Sequence, residues 1–283
     1  MSEPRRLIHR ALAPADAAAA PQERPAGVPA GAEALQAEGQ DGTVLQGWRW
    51  RGAEEAPPPE GWATAVLPAA LADAERPLVV TDVDSTLIRQ EVIELLAAHA
   101  GREAEVAEIT ERAMRGEIDF EQSLRERVVV LAGLSAEVVD DVADAVRLSP
   151  GAQALVRTLL REGHAVAAVS GGFRQVLAPL ASSLELTRWA ANGLEVEDGR
   201  LTGRVGGPVV DRAAKAEIVA QWARDLEIAP EDVLVVGDGA NDVDMARAAG
   251  LSVAYRAKPA LQDVADTQIN IPNLDALRFF LDL

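Results

Sequence analysis

The sequence predicts an α/β protein: a Rossmann-like parallel sheet with helices on both faces and a small helical domain inserted after the first strand. From residue 152 onward, short apolar segments alternate with helical ones, which is typical of a parallel sheet. Residues 89–148 instead carry helical patterns with no strand between them. They follow the strongly apolar segment 78–80, so the helical block interrupts the sheet directly after its first strand.

The first 76 residues differ from the rest of the chain in composition. They contain 20 Ala and 9 of the 16 Pro, and the stretch up to about residue 40 is predicted to be poorly ordered. Residues 43–50 have weak strand character, and residues 62–71 are candidates to pack on the main body. Two interpretations stay open for region 1–76: a small regulatory or oligomerisation segment, or a tail with a few docking aromatic residues.

Two acidic residues follow the first strand. The apolar run Leu78–Val80 leads to Asp82 and Asp84, and the hydroxyl residues Ser85 and Thr86 come next. If the strand continues, the acids share one face; if it opens into a loop, they crowd one small space. Carboxylates held that close repel each other unless a cation or a shared proton compensates. The pattern favours a Mg²⁺-dependent phosphoryl-transfer site, in which one acid attacks phosphorus and the other handles protons; an exposed acidic turn is the alternative.

The helical block is interpreted as a small bundle inserted into a larger core. Its predicted helices span 91–100, 103–115, 119–132 and 136–147. Asp119, at the start of the third of these segments, and Ser135, just before the fourth, are expected to cap these two helices. The predicted organisation is therefore an N-terminal region at 1–76, a catalytic core at 77–88 and 149–283, and a helical cap at 89–148.

The second half of the chain supplies the rest of the predicted sheet. Asp198-Gly199 is a strong hairpin signal between the alternating strands of 192–205. The predicted strands are 165–169, 233–236, 251–254 and 268–271, and the predicted helices are 152–162, 173–183, 213–225, 243–249 and one near 274–281. Ligands of such sheets bind at the carboxyl ends of the strands, where all the polar motifs of this chain lie.

Two further motifs follow strands of this sheet. Ser170-Gly171-Gly172 leads into a helix, and its hydroxyl, free backbone N–H groups and helix N-terminus suit an anion; an ordinary glycine-rich turn is the alternative. Asp238 and Asp242 follow the apolar strand 233–236, where they complete an oxygen-ligand set for Mg²⁺, and Asn241 is placed to contact substrate or nucleophile. Asp242 is also a good N-cap for the helix at 243, and the two roles are compatible.

Lysine is rare in this chain. Of the 27 basic residues, only Lys215 and Lys258 are Lys. Lys215 lies in the first turn of a helix after Asp211, where its ammonium group is expected to neutralise a phosphate and orient an acidic nucleophile. Lys258 lies in a loop before Pro259, and we expect a structural or peripheral role for it.

Composition excludes several classes of protein. The net charge of −18 argues against a nucleic-acid-binding protein, and the absence of Cys excludes disulfides and thiolate sites. The three His are scattered without metal-ligand spacing. No apolar run is long enough to cross a membrane, and no signal peptide is recognised, so a cytoplasmic protein with a small-molecule substrate is expected. The oligomeric state stays open.

In their order along the chain, these motifs resemble those of the haloacid dehalogenase superfamily of phosphatases. The matching stretches are Asp82-Val-Asp-Ser-Thr, Ser170-Gly-Gly, Lys215 and Gly237-Asp-Gly-Ala-Asn-Asp242. More narrowly, Glu91, the cap segment 111–127 and the hairpin 191–203 resemble the phosphoserine phosphatases of that superfamily. The resemblance covers residues 78–277 and leaves out residues 1–76.

The resemblance implies roles for the core residues. Asp82 would attack phosphorus and form an aspartyl-phosphate, and Asp84 would protonate the leaving oxygen and then activate water. Mg²⁺ would be held by Asp82, the backbone carbonyl of Asp84 and Asp238, with Asp242 in support. Ser170, Gly171 and Lys215 would hold the phosphoryl oxygens.

The resemblance also implies how the substrate is chosen. Glu91 and Arg127, from the cap, would bind the ammonium and carboxylate of an amino acid, since Arg meets a carboxylate bidentately. Asn241 would contact the substrate side of the site. Met114 and Phe120 are either an apolar wall of a mobile cap or ordinary helix-packing residues.

The implied activity is Mg²⁺-dependent hydrolysis of O-phospho-L-serine to L-serine and phosphate, the last step of L-serine biosynthesis. Transfer of the phosphoryl group to homoserine and hydrolysis of another small phosphomonoester are alternatives. A silent regulatory binding protein on the same fold is the non-enzyme alternative, which the intact acids at 82, 84 and 238 and the retained Lys215 argue against.

Overall fold

The computed structural model describes residues 5–12, 24–38, 44–52, 62–67, 71, 74 and 76–281. Near the N-terminus, four strands form an antiparallel sheet in the order β2-β3-β1-β4. These strands are β1 (Arg5–Leu12), β2 (Glu33–Glu38), β3 (Val44–Arg51) and β4 (Ala63–Leu67). Ile8, Val28 and Trp48 form a small buried cluster on this sheet.

This sheet corrects one expectation from composition. Residues 5–12 and 24–38 have defined structure, so the prediction of poor order up to about residue 40 is wrong for them; residues 1–4, 13–23 and 39–43 lie outside the described part. The reason is pairing at long range, because β1 bonds to both β3 and β4, which come more than 30 residues later. The expected packing of residues 62–71 on the main body is confirmed at Leu67 and Leu71, which belong to the main hydrophobic core, whereas Trp62 packs on the N-terminal cluster and residues 68–70 lie outside the described part.

The main sheet has seven strands in the order β11-β10-β9-β5-β6-β7-β8. All neighbouring pairs are parallel except the β7–β8 hairpin. The strands are β5 (Leu78–Thr81), β6 (Ala165–Phe173), β7 (Arg188–Glu197), β8 (Arg200–Gly206), β9 (Val233–Gly237), β10 (Leu251–Tyr255) and β11 (Thr267–Ile269). The predicted parallel α/β sheet is therefore confirmed.

Helices cover both faces of this sheet. Along β5, Val79 packs into one buried cluster, whereas Leu78 and Val80 pack into the other, because successive strand residues point to opposite faces. The helices are α1 (Val92–Ala100), α2 (Glu103–Met114), α3 (Phe120–Val129), α4 (Glu137–Ala145), α5 (Ala152–Arg161), α6 (Arg174–Ser183), α7 (Arg212–Asp225), α8 (Val243–Ala248) and α9 (Pro259–Gln262), with a final 3₁₀ segment at Leu274–Phe280. Helices α5 and α6 lie on the first face, and α7 and α8 lie on the second.

Helices α1 to α4 form the insertion. The chain leaves the core after Ile88 and returns at Leu148, and these two residues form an antiparallel bridge. As predicted, the Asp119 side chain caps α3 by accepting a hydrogen bond from Gln122 N at 2.8 Å. Ser135 Oγ similarly accepts one from Glu137 N at 3.3 Å, at the start of α4. We call residues 89–148 the cap.

The predicted element boundaries differ from the observed ones by a few residues, with one informative exception. Strand β6 was expected to end at Val169, but it continues through Ser170-Gly171-Gly172 to Phe173. Its pairing with β7 shifts register between Ser170 and Phe173, so this segment bulges from the sheet. Among the described residues, no helix has the length and apolar character needed to cross a membrane. The cytoplasmic location stays a prediction.

Candidate active site

The polar motifs meet where the strand order reverses. Strand β5 lies between β6 and β9, and the chain proceeds outward from β5 in both directions, which creates a crevice at the carboxyl ends of these strands. Asp82 follows β5, Ser170 lies on β6 and Asp238 follows β9. The Asp82 backbone N–H donates to Val236 O at 2.9 Å, which fixes its position beside β9.

A buried acidic cluster lies at the centre of this crevice. Carboxylate oxygens of Asp82, Asp238 and Asp242 all lie within 4.8 Å of one another. Lys215, from the first turn of α7, donates from Nζ to Asp82 Oδ1 at 2.5 Å and to Asp242 Oδ1 at 2.8 Å. The Lys215 side chain is wholly buried, so this lysine is not a solvated surface residue.

The electrostatics of the cluster are unbalanced. Burial raises the pKa of Asp238 to about 7, with the Asp242 carboxylate adding to the shift, and burial likewise raises the pKa of Asp82. Burial acts to lower the pKa of Lys215, but the carboxylates of Asp242 and Asp82 outweigh it and raise that pKa, which keeps the ammonium charged. Three close carboxylates thus face one buried ammonium, and oxygen ligands with excess negative charge fit a hard divalent cation.

Asp242 has a larger part in this cluster than its sequence position suggests. It occupies the predicted N-cap position of α8, but its side chain makes no capping hydrogen bond to that helix. Instead Oδ2 accepts from the backbone N–H groups of Asp238 and Gly239 at 3.1 and 3.2 Å, while Oδ1 accepts from Lys215. The same carboxylate therefore shapes the turn after β9 and holds the lysine.

Asp84 points away from the acidic cluster. Strand β5 ends at Thr81, before either acid, so the two acids do not share one strand face, and the chain then turns at Ser85, where φ is 57°. Asp84 Oδ1 accepts from Val92 N at 2.7 Å, and Oδ2 accepts from Ser170 Oγ at 3.0 Å. Burial, followed by the nearby Glu91 carboxylate, raises the pKa of Asp84 to about 6 against these two hydrogen bonds. A carboxyl group in this range suits proton exchange near neutral pH.

The glycine-rich segment of β6 closes the other side of the crevice. Ser170 Oγ accepts from Gly172 N at 2.7 Å, and a Cβ on Gly172 would lie 2.7 Å from Asp84 Oδ2. A Cβ on Gly171 would lie 2.9 Å from the Phe120 ring of the cap. A side chain at either position would therefore displace a neighbour, the Phe120 ring of the cap at 171 or the Asp84 carboxylate at 172.

The cap places opposite charges beside this crevice. Glu91, at the start of α1, accepts from Ser85 Oγ at 2.7 Å. Arg127, from the last turn of α3, is half-buried, and its Nε donates to Ser123 O at 3.3 Å. Burial lowers the pKa of Arg127, and the carboxylates of Glu91 and Asp84 oppose that shift, which places the guanidinium group near both.

The remaining predicted residues occupy the rim. Asn241 is half-buried and its amide oxygen lies over Gly239. Phe120 packs against Gly171, whereas Met114 is 77% exposed, so only Phe120 contacts the core in this structure. Lys258 lies closer to the cluster than a peripheral role implies, since its N–H donates to Asp238 O at 2.8 Å and its Nζ lies 3.7 Å from Asp238 Oδ2.

Two positioning residues had no predicted role. Buried Asn192 donates from Nδ2 to Gly171 O at 2.8 Å and accepts at Oδ1 from Val210 N at 2.7 Å, so it joins the glycine-rich segment to the loop before α7. Ser85 orients Glu91 through the bond described above. Asn192 lies inside β7 and stands out in the sequence only as part of the hairpin segment 191–203, and no sequence feature revealed the role of Ser85.

Comparisons with known proteins agree with this geometry. The sequence profile of the haloacid dehalogenase-like hydrolase family matches residues 79–247. The chain belongs to the haloacid dehalogenase-like hydrolases. The matched segment contains all the predicted site residues.

Three similar proteins illustrate how far the likeness of this chain extends. A phosphoserine phosphatase of Streptomyces coelicolor is 54% identical over 219 residues, which cover 77% of this chain and 53% of that protein. A solved structure of a substrate-bound phosphoserine phosphatase complex shares 40% identity at a TM-score of 0.70, covering 74% of this chain and 100% of that one. A haloacid dehalogenase family hydrolase from Salmonella enterica matches 98% of both chains at 25% identity and a TM-score of 0.83.

The extent of coverage differs between these matches. The hydrolase chain spans about half the length of the first curated relatives it matches. The structural match to the Salmonella protein extends over nearly the whole chain, so it includes the N-terminal sheet.

Proposed function

We propose that this hydrolase is a Mg²⁺-dependent phosphoserine phosphatase, which converts O-phospho-L-serine and water to L-serine and phosphate. The observation that carries the proposal is the pairing of two sets of groups in one crevice: Asp82 with Lys215 on the core side, and Glu91 with Arg127 on the cap side. The first set suits phosphoryl transfer, and the second suits the ammonium and carboxylate of an amino acid. The activity would complete L-serine biosynthesis.

The first half-reaction uses Asp82 as nucleophile. A carboxylate oxygen of Asp82 bonds to phosphorus while the bond from phosphorus to the serine oxygen breaks, giving an aspartyl-phosphate. Asp84 transfers its proton to that oxygen, so serine leaves as a neutral alcohol. Lys215 holds the nucleophile in place and, with Ser170 and the N–H of Gly171, stabilises the phosphoryl oxygens.

The second half-reaction returns the enzyme to its starting state. Asp84, now ionised, takes a proton from a water molecule whose oxygen attacks phosphorus. The bond between phosphorus and Asp82 breaks, phosphate is released and Asp84 is again protonated. Phe120 over Gly171 helps the cap to exclude other water from the crevice.

The acidic cluster would hold the metal ion. The carboxylates of Asp82 and Asp238 are proposed ligands together with the main-chain carbonyl of Asp84, whose side chain is engaged elsewhere. Asp242 supports the set through Lys215 and the turn at 238–239. When bound, Mg²⁺ would offset the charge of the carboxylates and of the phosphoryl group.

Phosphate release from a panel of substrates tests this function. We expect release from O-phospho-L-serine to exceed that from other phospho-amino acids and from sugar phosphates, and to require Mg²⁺. Adding homoserine as an acceptor separates the hydrolase from a phosphotransferase, because transfer would yield phosphohomoserine in place of phosphate. Comparable rates on sugar phosphates would contradict the proposed substrate, and no turnover of any phosphomonoester would favour a silent binding protein.

A further inference from the structure

The β7–β8 hairpin connects the cap to the core at a second place, away from the chain connections at Ile88 and Leu148. The tip of the hairpin is hydrogen-bonded to the loop between α3 and α4 as if it were a short strand pair. The bonds run from Gly133 N to Leu201 O (2.8 Å), Leu201 N to Leu134 O (2.9 Å), Ala136 N to Gly199 O (2.9 Å) and Arg200 Nη1 to Gly133 O (2.7 Å). The position of this loop is therefore tied to the hairpin.

Gly203 brings the hairpin directly against the end of α3. It adopts φ +81°, and a Cβ there would lie 2.9 Å from Ala132 Cβ and 3.4 Å from Val129 Cα. A larger residue would therefore require a shift of strand β8 or of residues 129–132, which form the end of α3 and the loop that follows it. Arg127 lies in that same turn, two residues before Val129.

The base of the hairpin is attached beside the phosphate side of the crevice. Gln175, in the first turn of α6, donates from Nε2 to Leu194 O at 2.6 Å and accepts at Oε1 from Leu194 N at 3.2 Å. Arg174 donates from Nη2 to Gly206 O at 2.8 Å. Helix α6 directly follows the Ser170–Gly172 segment, so one continuous set of contacts joins that segment to the helix that carries Arg127.

We propose that the β7–β8 hairpin, through the close contact at Gly203, positions α3 and thereby holds Arg127 at a fixed distance from the phosphate side of the site. Gly203 is then a positioning residue for substrate recognition. The choice of substrate in this inference rests on the proposed function. The claim that the hairpin fixes the position of α3 does not depend on that function. Disturbing the contact at Gly203 should weaken binding of the amino acid part of the substrate and leave the chemistry at phosphorus intact.

Gly203→Ala and Gly199→Ala form a matched pair for the test. Both glycines lie on the hairpin at positive φ (+81° and +72°), but a Cβ at 199 meets nothing within 4 Å. Because a displacement of about 1 Å can cost up to about 100-fold in efficiency, we expect Gly203→Ala to raise KM for O-phospho-L-serine about 10-fold relative to Gly199→Ala. The kcat on that substrate, and kcat/KM on p-nitrophenyl phosphate, which lacks the amino acid groups, should match those of Gly199→Ala.

Further variants control for simple misfolding. Adding Ala132→Gly to Gly203→Ala removes the methyl group that the new side chain meets, and it should return KM towards that of Gly199→Ala. Arg200→Ala removes the side-chain bond to Gly133 and should also raise KM for O-phospho-L-serine. It provides the test if Gly203→Ala does not fold. Equal KM values for Gly203→Ala and Gly199→Ala, or equal losses on both substrates, would overturn the proposal, as would an unchanged KM for Arg200→Ala.

Hydrogen–deuterium exchange separates this inference from the proposed function. We expect the amides of Gly133, Ala136 and Leu201 to exchange faster in Gly203→Ala than in Gly199→Ala. If the unmodified protein does not hydrolyse O-phospho-L-serine, the proposed function fails, and the exchange rates still decide whether the hairpin fixes the cap. Equal exchange in the two variants would show that it does not.

Discussion

At the scale of single residues, the site depends on charges that are buried and held by specific partners. Lys215 has two carboxylate partners, and Asp82 and Asp242 would each be left as an uncompensated buried charge without it. Arg127 and Glu91 lie at the edge of this arrangement, where they are half-buried and accessible to a small ligand. The core residues thus suit the chemistry, and the cap residues suit the choice of substrate.

Arg127→Ala should separate these two functions. We expect kcat/KM for O-phospho-L-serine to fall by about 100-fold, since a charged hydrogen-bonding group that meets a substrate carboxylate contributes about 1.5–3 kcal/mol. Turnover of p-nitrophenyl phosphate should change little. Steady-state kinetics on both substrates provides the measurement.

Arg125→Ala is the matched control for this prediction. Arg125 lies on the same helix but is exposed and pairs with Glu121 at 2.6 Å, so its loss should leave both activities unchanged. Equal losses on both substrates in Arg127→Ala would remove Arg127 from substrate recognition.

The sequence predicted which residues meet at the site better than it predicted their contacts. Asp82, Asp238 and Lys215 could be placed together because strand ends and a helix start converge in a parallel sheet. The direction of a side chain depends on neighbours that are remote in sequence. For that reason Asp84 could not be placed against Val92 and Ser170, and the contact of Asp242 with Lys215 was not foreseen, although Asp242 was expected to support the metal site.

At the scale of elements, the return of the chain from cap to core is fixed by a tight contact at the start of α5. Gly151 has φ +79°, and a Cβ there would lie 2.0 Å from Asn273 Oδ1 and 2.7 Å from Asp275 N. Leu274 N also donates to Pro150 O at 2.7 Å. The final 3₁₀ segment and Asn273 before it therefore hold the turn at 149–151, by which the chain passes from the cap into α5.

Gly151→Ala should destabilise the protein more than Gly163→Ala. Both glycines flank α5 at positive φ, but Gly163, at φ +85°, has nothing within 4 Å of its Cβ position. We expect a loss of about 1–2 kcal/mol in free energy of unfolding for Gly163→Ala from backbone strain alone. The loss for Gly151→Ala should be about 2–5 kcal/mol because steric overlap adds to that strain.

Urea denaturation of the two variants measures this difference. Equal losses at the two ends of α5 would contradict the close packing of Gly151 against the C-terminal segment. The helix itself was predicted within one residue, because periodic apolar positions mark it, but the contact with residues 273–275 has no local sequence signal.

At the scale of the whole molecule, the N-terminal sheet packs against the part of the protein that carries the main seven-stranded sheet. Strand β4 contacts β11 at the edge of the main sheet, and Leu67 and Leu71 are buried in the main core. Composition left a regulatory or oligomerisation segment and a tail both open, because Ala and Pro obscure the strands and their partners are distant in sequence. Strands β5, β6 and β9 of the main sheet were predictable because each is an apolar run with a polar motif at or near its end.

Leu67→Ala tests whether the packing of the N-terminal sheet on the main core contributes to stability. Leu67 is 3% exposed, so its truncation should lower the free energy of unfolding by about 2–5 kcal/mol. Its neighbour Val66 is 41% exposed on the same strand, and Val66→Ala should cost less than about 1 kcal/mol. Urea denaturation, monitored by the unfolding of the main sheet, measures both variants. Equal free energies of unfolding for Leu67→Ala and Val66→Ala would contradict the packing of the N-terminal sheet on the main core.

The central claim is that the protein is a phosphoserine phosphatase in which Asp82 attacks phosphorus. Phosphate release from O-phospho-L-serine in the presence of Mg²⁺ tests this claim most directly. Asp82→Asn removes the nucleophile but leaves Lys215 paired with Asp242, so the variant should keep its fold, as circular dichroism can verify. We predict that the unmodified protein releases phosphate and that Asp82→Asn loses at least about 1,000-fold in kcat. Turnover by a folded Asp82→Asn variant at a rate near that of the unmodified protein would contradict the claim.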